Sequence, residues 1–241
     1  MSLLTMIQTA ANIVGVQQPV SVIGSTDTTT LQMLALANQE GRELAEKSWP
    51  LLWRNATITT VADQQEYALP ADFNWQLVDT FWNAATRLPV WGPQTPQTKQ
   101  AIEYGLIGQQ PVATRYWIWR GASSNDAKVY IQPTPPDNGD TLAYMYVSSH
   151  WCRNADDDTT YSAWTADTDV GILSEDLMKD GVVWRFLRQK GLDYGDYRND
   201  YERRRDRLIA QSRPAPNLSV TGFRMWPMIG PWSAPETGYG Q

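Results

Sequence analysis

The segment Ala56-Thr57-Ile58-Thr59-Thr60-Val61-Ala62-Asp63-Gln64-Gln65-Glu66-Tyr67-Ala68-Leu69-Pro70-Ala71-Asp72-Phe73 divides the chain by its periodicity. After Ala56 its first run is entirely β-branched, which suits a pleated, half-buried strand. Ala62-Asp63-Gln64-Gln65 reads as a turn, and Glu66-Tyr67-Ala68-Leu69 is expected to pair back on the first run as a hairpin. Pro70 belongs at a strand end, because it cannot donate to a ladder.

Upstream the pattern is helical. Leu3, Met6, Ile7, Ala10 and Ile13/Val14 recur at helical spacing, with Ser2 as an N-cap and Gly15 as a stop. A longer helix is expected from about Asp27 to Lys47, with Leu31, Leu34, Ala37, Gly41, Leu44 and Ala45 on one face and Arg42, Glu43 and Glu46 towards the other. Gly41 costs a helix interior about 1 kcal/mol relative to Ala, so it marks close helix packing. Pro50 pushes Trp49 out of the helical region and ends the element.

Downstream, further strands are expected at Gln76–Trp82, Arg115–Arg120, Lys128–Gln132 and Thr141–Ser148, with a short helix from Thr98 to Tyr104 between them. Arg115-Tyr116-Trp117-Ile118-Trp119-Arg120 is bulky on both faces, as in a strand covered on both sides. Helical spacing returns at Ser174, an expected N-cap, and runs to a Lys190-Gly191 exit. Leu177, Met178, Gly181, Val182, Trp184, Phe186 and Leu187 make a face too wide for one neighbour, so this helix should be central. A second helix follows from about Gly195 to Ser212, with Tyr194, Tyr197, Tyr201 and Leu208 as its stripe. The short connection predicts an antiparallel pair. The expected fold is α+β: a helical bundle body from residues 1–54 and 170–213, a β-rich insertion over 55–169, and an extended C-terminal arm over 214–241.

Composition narrows the function. A 42 % hydrophobic share with 19 % charged residues is globular. No apolar run approaches the roughly 18 residues that span a bilayer, so no membrane partner is expected. Met1 to Val16 carries no basic residue, unlike a secretory leader. The single Cys152 excludes an internal disulfide and fits assembly in a reducing cytoplasm. A net charge of -6 gives no general reason to grip nucleic acid. Twelve Trp and 11 Tyr against 4 Phe suit contacts with one dry and one wet side, and many stand beside Pro or Gly: Trp49-Pro50, Trp91-Gly92-Pro93, Trp226-Pro227, Pro231-Trp232.

The run from Leu36-Ala37-Asn38 through Leu44-Ala45, Trp49-Pro50-Leu51-Leu52 and Ala56 to the Leu69-Pro70-Ala71-Asp72-Phe73 exit resembles the head-to-tail adaptor (connector) proteins of tailed bacteriophages, similar in role to the tail-tubular-protein-A group. The match joins a helix end, a hairpin and a Leu-Pro-x-Asp-Phe exit in one order over about forty residues; the rest agrees in layout. The resemblance implies a structural virion protein of the neck, assembled in the host cytoplasm. It implies a homo-oligomeric ring of twelve copies between the portal protein and a tail or nozzle protein. Double-stranded DNA would pass through its channel without sequence-specific binding.

No catalytic, cofactor or metal residues are expected. His150-Trp151-Cys152 is the one place where a nucleophile–base pair or a metal site could be sought, but no second His or Cys exists, and zinc needs three or four such ligands. Asp137, Asp140, Asp156, Asp157, Asp158, Asp167 and Asp169 cluster with Arg153 as the lone counter-charge, without the spacing of a calcium loop. They read as a solvated loop or, sharper, with Asp156, Asp157 and Asp158 as a repelling wall along the DNA channel. In Glu202-Arg203-Arg204-Arg205-Asp206-Arg207 the acids interleave, so Arg203, Arg204, Arg205 and Arg207 read as a salt-bridged surface or as ion pairs between ring subunits. Past Arg213 the chain is rich in Pro and Gly yet carries Phe223, Met225, Trp226, Met228 and Trp232, the expected anchors of an arm that orders on the portal. Two rival readings are a virion-carried cell-wall hydrolase using the acidic loop and a carbohydrate-binding module using the aromatic rings.

Overall fold

A computed structural model describes residues 2–104, 114–120 and 127–212. The elements are α1 (Leu3–Val14), α2 (Thr28–Ala45), a 3-10 turn (Pro50–Leu52), β1 (Trp53–Thr59), β2 (Glu66–Ala68), β3 (Phe73–Gln76), β4 (Trp82–Asn83), β5 (Leu88–Pro89) and α3 (Pro96–Tyr104). They continue with β6 (Arg115–Trp119), β7 (Lys128–Gln132), β8 (Thr141–Ser148), β9 (Cys152–Arg153), β10 (Thr160–Tyr161), β11 (Val170–Gly171), α4 (Glu175–Lys190) and α5 (Gly195–Ser212). The fold is α+β, with every strand pair antiparallel.

The helices start and stop where local chemistry says they should. The Ser2 hydroxyl accepts from the Thr5 N–H, and Gly15 closes α1 in the left-handed conformation. Asp27 caps α2, accepting from the Thr30 N–H at 2.9 Å and from its hydroxyl at 2.8 Å. At the other end of α2 the Leu44 carbonyl accepts from the Lys47 N–H at 2.9 Å and from the Trp49 indole at 2.9 Å. Ser174 stands at the N-cap of α4, but its hydroxyl accepts no capping bond there.

Helix α4 lies at the centre of the helical core. It touches α1, α2 and α5, and every residue from Gly181 to Leu187 is buried. The α4–α5 pair is antiparallel, since Trp184 meets Tyr201 while Arg204 reaches back to Asp180 and Asp176. Two expected faces need correction. On α2 the buried face is Thr30, Met33, Leu36, Ala37, Glu40, Gly41, Leu44 and Ala45, whereas Leu31 is exposed and Leu34 only partly covered. Ala37, Gly41, Leu44 and Ala45 lie on this face as expected, and spacings of four, three and four from Met33 through Ala37 and Glu40 to Leu44 carry it past Leu31 and Leu34. On α5 Tyr201 is buried, Tyr194 and Leu208 lie against the core, and Tyr197 faces out.

Gly41 does mark a close approach, but to a side chain rather than to another helix. A Cβ there would fall well inside contact of the Trp151 ring. Trp151 is fully buried and meets Trp164 edge-on at 5.1 Å. Trp151, Cys152, Trp164 and Leu173 thus belong to the same core cluster as the helices. The start of α1 is tied to this region by the Leu3 N–H donating to the Asp169 carbonyl at 2.8 Å and by a bridge from Ser2 to Val170.

The strands form three sheets. In the largest, β8 pairs with β1 on one side and with β3 and β4 on the other, and β5 extends β4. A second joins β2, β7 and β6; a third joins β10, β9 and β11. The expected hairpin is therefore absent: β1 pairs with β8 and β2 with β7, so neighbouring runs enter different sheets. The turn between them is real, and the Tyr67 hydroxyl holds it, accepting from the Val61 N–H at 3.0 Å and donating to the Gln64 carbonyl at 2.9 Å. The expected strand over Gln76–Trp82 is instead the end of β3 and the start of β4, separated by a turn around Asp79, whose φ is positive. Strand β6 is at a sheet edge, not covered on both sides: Tyr116 is buried while Trp119 is half exposed. A second apolar cluster lies between these sheets, with Phe81 stacked on Tyr144 at 5.0 Å and on Tyr116 at 4.5 Å.

Two outcomes follow. Gly41→Ala should destabilise the protein by about 1–3 kcal/mol, the usual cost of overfilling a core, read as a lower midpoint in urea; an unchanged midpoint would mean that the Trp151 contact is soft. The second concerns Asp167, whose carboxylate accepts from the Ile23 N–H at 2.7 Å and the Ser21 hydroxyl at 2.7 Å. Desolvation pushes its pKa up, but the hydrogen bonds from Ile23, Ser21 and Val22 together outweigh it, and the net shift is downward. A depressed carboxylate contributes its full stability above the unfolded value of about 3.9 and loses it as pH falls towards the folded one. Amide exchange at Val22 and Ile23 should keep its protection above that value and lose it below; constant protection through acidification would break the assignment.

Candidate interaction surfaces

The charged groups divide into those spent inside the chain and those presented outward. The most enclosed set joins α2, α4 and α5. Glu40 is fully buried and is salt-bridged to Arg185, which also reaches Glu43 at 2.6 Å; the Tyr201 hydroxyl donates to the second Glu40 oxygen at 2.6 Å. The Arg185 guanidinium lies over the Trp184 ring at 4.5 Å. Burial lowers the pKa of Arg185 and raises that of Tyr201, yet a guanidinium stays charged at any physiological pH. Gly181 makes room for this set, because a Cβ there would overlap the Glu40 carboxylate. Sequence reasoning missed Glu40 and Arg185. The signal available was Glu40 standing beside Gly41 on the apolar stripe of α2.

The His150-Trp151-Cys152 run offers no nucleophile. The Cys152 thiol donates to the Tyr161 and Ala163 carbonyls, and burial, helped by the charge of Asp169, pushes its pKa up to about 12. His150 instead meets the Thr160 hydroxyl at 2.9 Å. Among the described residues no group of three or more His, Cys, Asp or Glu is placed to hold a metal ion.

The seven clustered acids separate by role. Asp169 is buried, accepting from the Thr165 N–H, the Thr165 hydroxyl and the Ala166 N–H, and Asp167 pins the Ser21–Ile23 loop. Asp140 meets Asn83. Asp156, Asp157 and Asp158 are exposed together on the turn between β9 and β10, with Asp158 paired to Arg153. The Thr159 N–H bonded to Asp157 holds that carboxyl below its usual range. A carboxylate outside this cluster, Asp72 of the Leu-Pro-x-Asp-Phe exit, accepts from the Tyr146 hydroxyl at 2.8 Å and the Ser148 hydroxyl at 2.6 Å, fastening β3 to β8.

Of the four clustered arginines between Arg203 and Arg207 on α5, Arg204 bonds within the chain to Asp180 at 2.7 Å and to Asp176 at 3.1 Å. Arg205 meets its neighbour Asp206 and lies near the Tyr201 ring. Arg203, loosely paired with Asp200 at 3.7 Å, and Arg207 face outward. On the sheet of β2, β7 and β6, Trp117 is approached by Lys99 at 4.3 Å and Tyr130 at 4.5 Å, so its ring is already in use. The anchors Phe223, Met225, Trp226, Met228 and Trp232 lie outside the described residues.

One cleft stands out, with a volume near 530 Å³. Arg42, at the end of α2, faces Asn74 and Arg120 across a floor that includes Ala45, Ala71 and Ala127; Ser149, His150 and Ser162 complete the lining. The Arg120 guanidinium bonds the Asn74 carbonyl.

The family model described as SU10 adaptor protein matches residues 1–221. The chain belongs to the SU10 adaptor protein family. No curated protein matches. Membership of an adaptor family points to a structural role, in agreement with the resemblance to phage head-to-tail adaptors, and the family match takes in all the described helices and sheets of this SU10 adaptor.

Within the adaptor, Arg204→Ala should cost roughly 0.2–1 kcal/mol at low salt, the usual worth of partly exposed ion pairs, and less in molar salt. Arg203→Ala should leave the melting temperature unchanged. Equal effects for the two would show that the α4–α5 ion pairs do not hold the helices together.

Proposed function

We propose that this SU10 adaptor is a ring-forming head-to-tail connector that joins the portal to the tail and lines part of the DNA channel. The observation that carries the reading is the family match over residues 1–221. In this reading the protein works in the virion neck by contact area and not by bond-making. Residues 1–54 and 170–213 are the helical bundle body, 55–169 the β-rich insertion and 214–241 the extended arm. Twelve copies form the ring, between the portal on one side and a tail or nozzle protein on the other.

Three surfaces have expected places in such a ring. Asp156, Asp157 and Asp158 share an exposed turn, as a wall that repels passing phosphates requires. Arg203 and Arg207 face outward and are the arginines best placed to pair with a neighbouring subunit, with Arg204 and Arg205 already engaged within the chain. The arm, with Phe223, Met225, Trp226, Met228 and Trp232 as anchors, would order on the portal as other extended segments do on their partners.

The test is to mix the full chain with its portal protein and image the product by electron microscopy. Portal-dependent rings are expected, and deletion of residues 214–241 should leave a folded chain that no longer docks. A monomer that ignores the portal would overturn the adaptor reading, and undiminished docking by the truncated chain would overturn the role of the arm.

A further inference from the structure

We propose that the cleft between Arg42 and Arg120 is a docking site for a carboxylate-bearing segment of a partner protein; the proposal rests on the adaptor reading for the existence of that partner. The lining brings Arg42, Arg120, His150 and Ser162 to one space, beside Ser149 and Asn74, whose hydroxyl and amide already donate to the Asp72 and Ala45 carbonyls. Among the described residues no acid lines the cleft, and none forms an ion pair with Arg42 or Arg120.

The donors are also held in place. The Arg120 guanidinium is bonded to the Asn74 carbonyl, and His150 to the Thr160 hydroxyl, so less side-chain freedom is lost when an anion binds. Arginine forks match a carboxylate with two parallel hydrogen bonds. Nearby Asp72 is committed elsewhere, accepting from the Tyr146 and Ser148 hydroxyls, and forms no ion pair with Arg42 or Arg120 among the described residues.

Size and charge choose among the oxyanions. A volume near 530 Å³ lies within the roughly 300–1,000 Å³ of sites that enclose drug-sized ligands and is more than a lone phosphate needs. Ala45, Ala71 and Ala127 leave room for main chain and short aliphatic stems. Duplex DNA draws its affinity from many cation–phosphate contacts, and two arginines supply too few. An acidic peptide satisfies both conditions.

The experiment measures fluorescence anisotropy of a labelled Gly-Asp-Glu-Asp-Glu-Asp-Gly peptide with the full chain at low salt. Inorganic phosphate serves as competitor, and a short labelled DNA duplex as a second probe. Saturable peptide binding is expected, weakened roughly tenfold by Arg42→Gln and by Arg120→Gln, the loss of one charge-assisted contact each. Arg87→Gln, which removes an equal charge from the turn between β4 and β5, should change it little. Arg42 is exposed and makes no side-chain bond among the described residues, so its variant keeps the test valid even if Arg120→Gln fails to fold.

Three results would overturn the proposal: no saturable binding, equal binding by the Arg42→Gln and Arg87→Gln variants, or tighter Arg42-dependent binding of phosphate or duplex than of peptide. Ring assembly on the portal is scored separately. Rings without peptide binding remove the cleft assignment alone, whereas Arg42-dependent peptide binding without rings supports the cleft and removes the adaptor reading.

Discussion

Glu40 sits in the interior of the helical core, where an unpaired carboxylate would cost several kcal/mol, and it is tolerated because Arg185 and Tyr201 reach it from two other helices. That arrangement constrains much of what surrounds it. It requires Gly181 on α4, since any side chain there would take the carboxylate's space. It sets the rotation of α2, turning Met33 and Ala37 inward and leaving Leu31 in solvent. It also fixes the level at which α5 crosses α4, because Tyr201 must meet Glu40. Gly41, one residue on, receives Trp151 and so couples the same helix to the segment that leads into the small sheet of β9, β10 and β11.

The same economy governs the surface. Asp72 and Asp167 are acids by sequence but fasteners by position, accepting hydrogen bonds that join segments distant in the chain, while the Asp169 carboxylate closes the local turn from Thr165. Among the groups that remain outward are the Asp156–Asp158 turn, the outer arginines of α5, and Arg42 and Arg120 at their cleft. For a member of an adaptor family this division matters, since only groups not consumed internally can recognise another chain.

The sequence made the helices legible and the strand pairing illegible, for physical reasons. Local signals define a helix: Ser2 and Asp27 cap, Gly15 and Gly191 terminate, and apolar residues recur every three or four positions. A strand announces itself by β-branching, as over Thr57–Val61, but its partner is set by tertiary contacts. A turn between two runs therefore suggested a hairpin that does not form. Tyr67 illustrates the point, since its hydroxyl holds that turn together while its strand pairs with β7. The buried charges were hidden for a different reason. Arg185 lies within a run of apolar residues where the eye assumes a solvent-facing exception, and nothing in spacing alone reveals that Glu40 and Arg185 answer each other across 145 positions. Of the site, the exposed acidic turn and the arginine-rich stretch of α5 were readable as charge clusters; the cleft was not, because its lining comes from segments scattered between Arg42 and Ser162.

The coupling of Glu40 to Arg185 is the point on which this account stands most directly, and a double-mutant cycle measures it. Urea denaturation of Glu40→Leu, Arg185→Met and the combined variant should show Arg185→Met costing about 3–5 kcal/mol, because it leaves the buried Glu40 carboxylate without a cation, and Glu40→Leu costing less, because Arg185 keeps Glu43. The double variant should then cost much less than the sum of the two. Additive losses would contradict the account, since they would mean that the two charges do not depend on one another and that something else holds the helices in place.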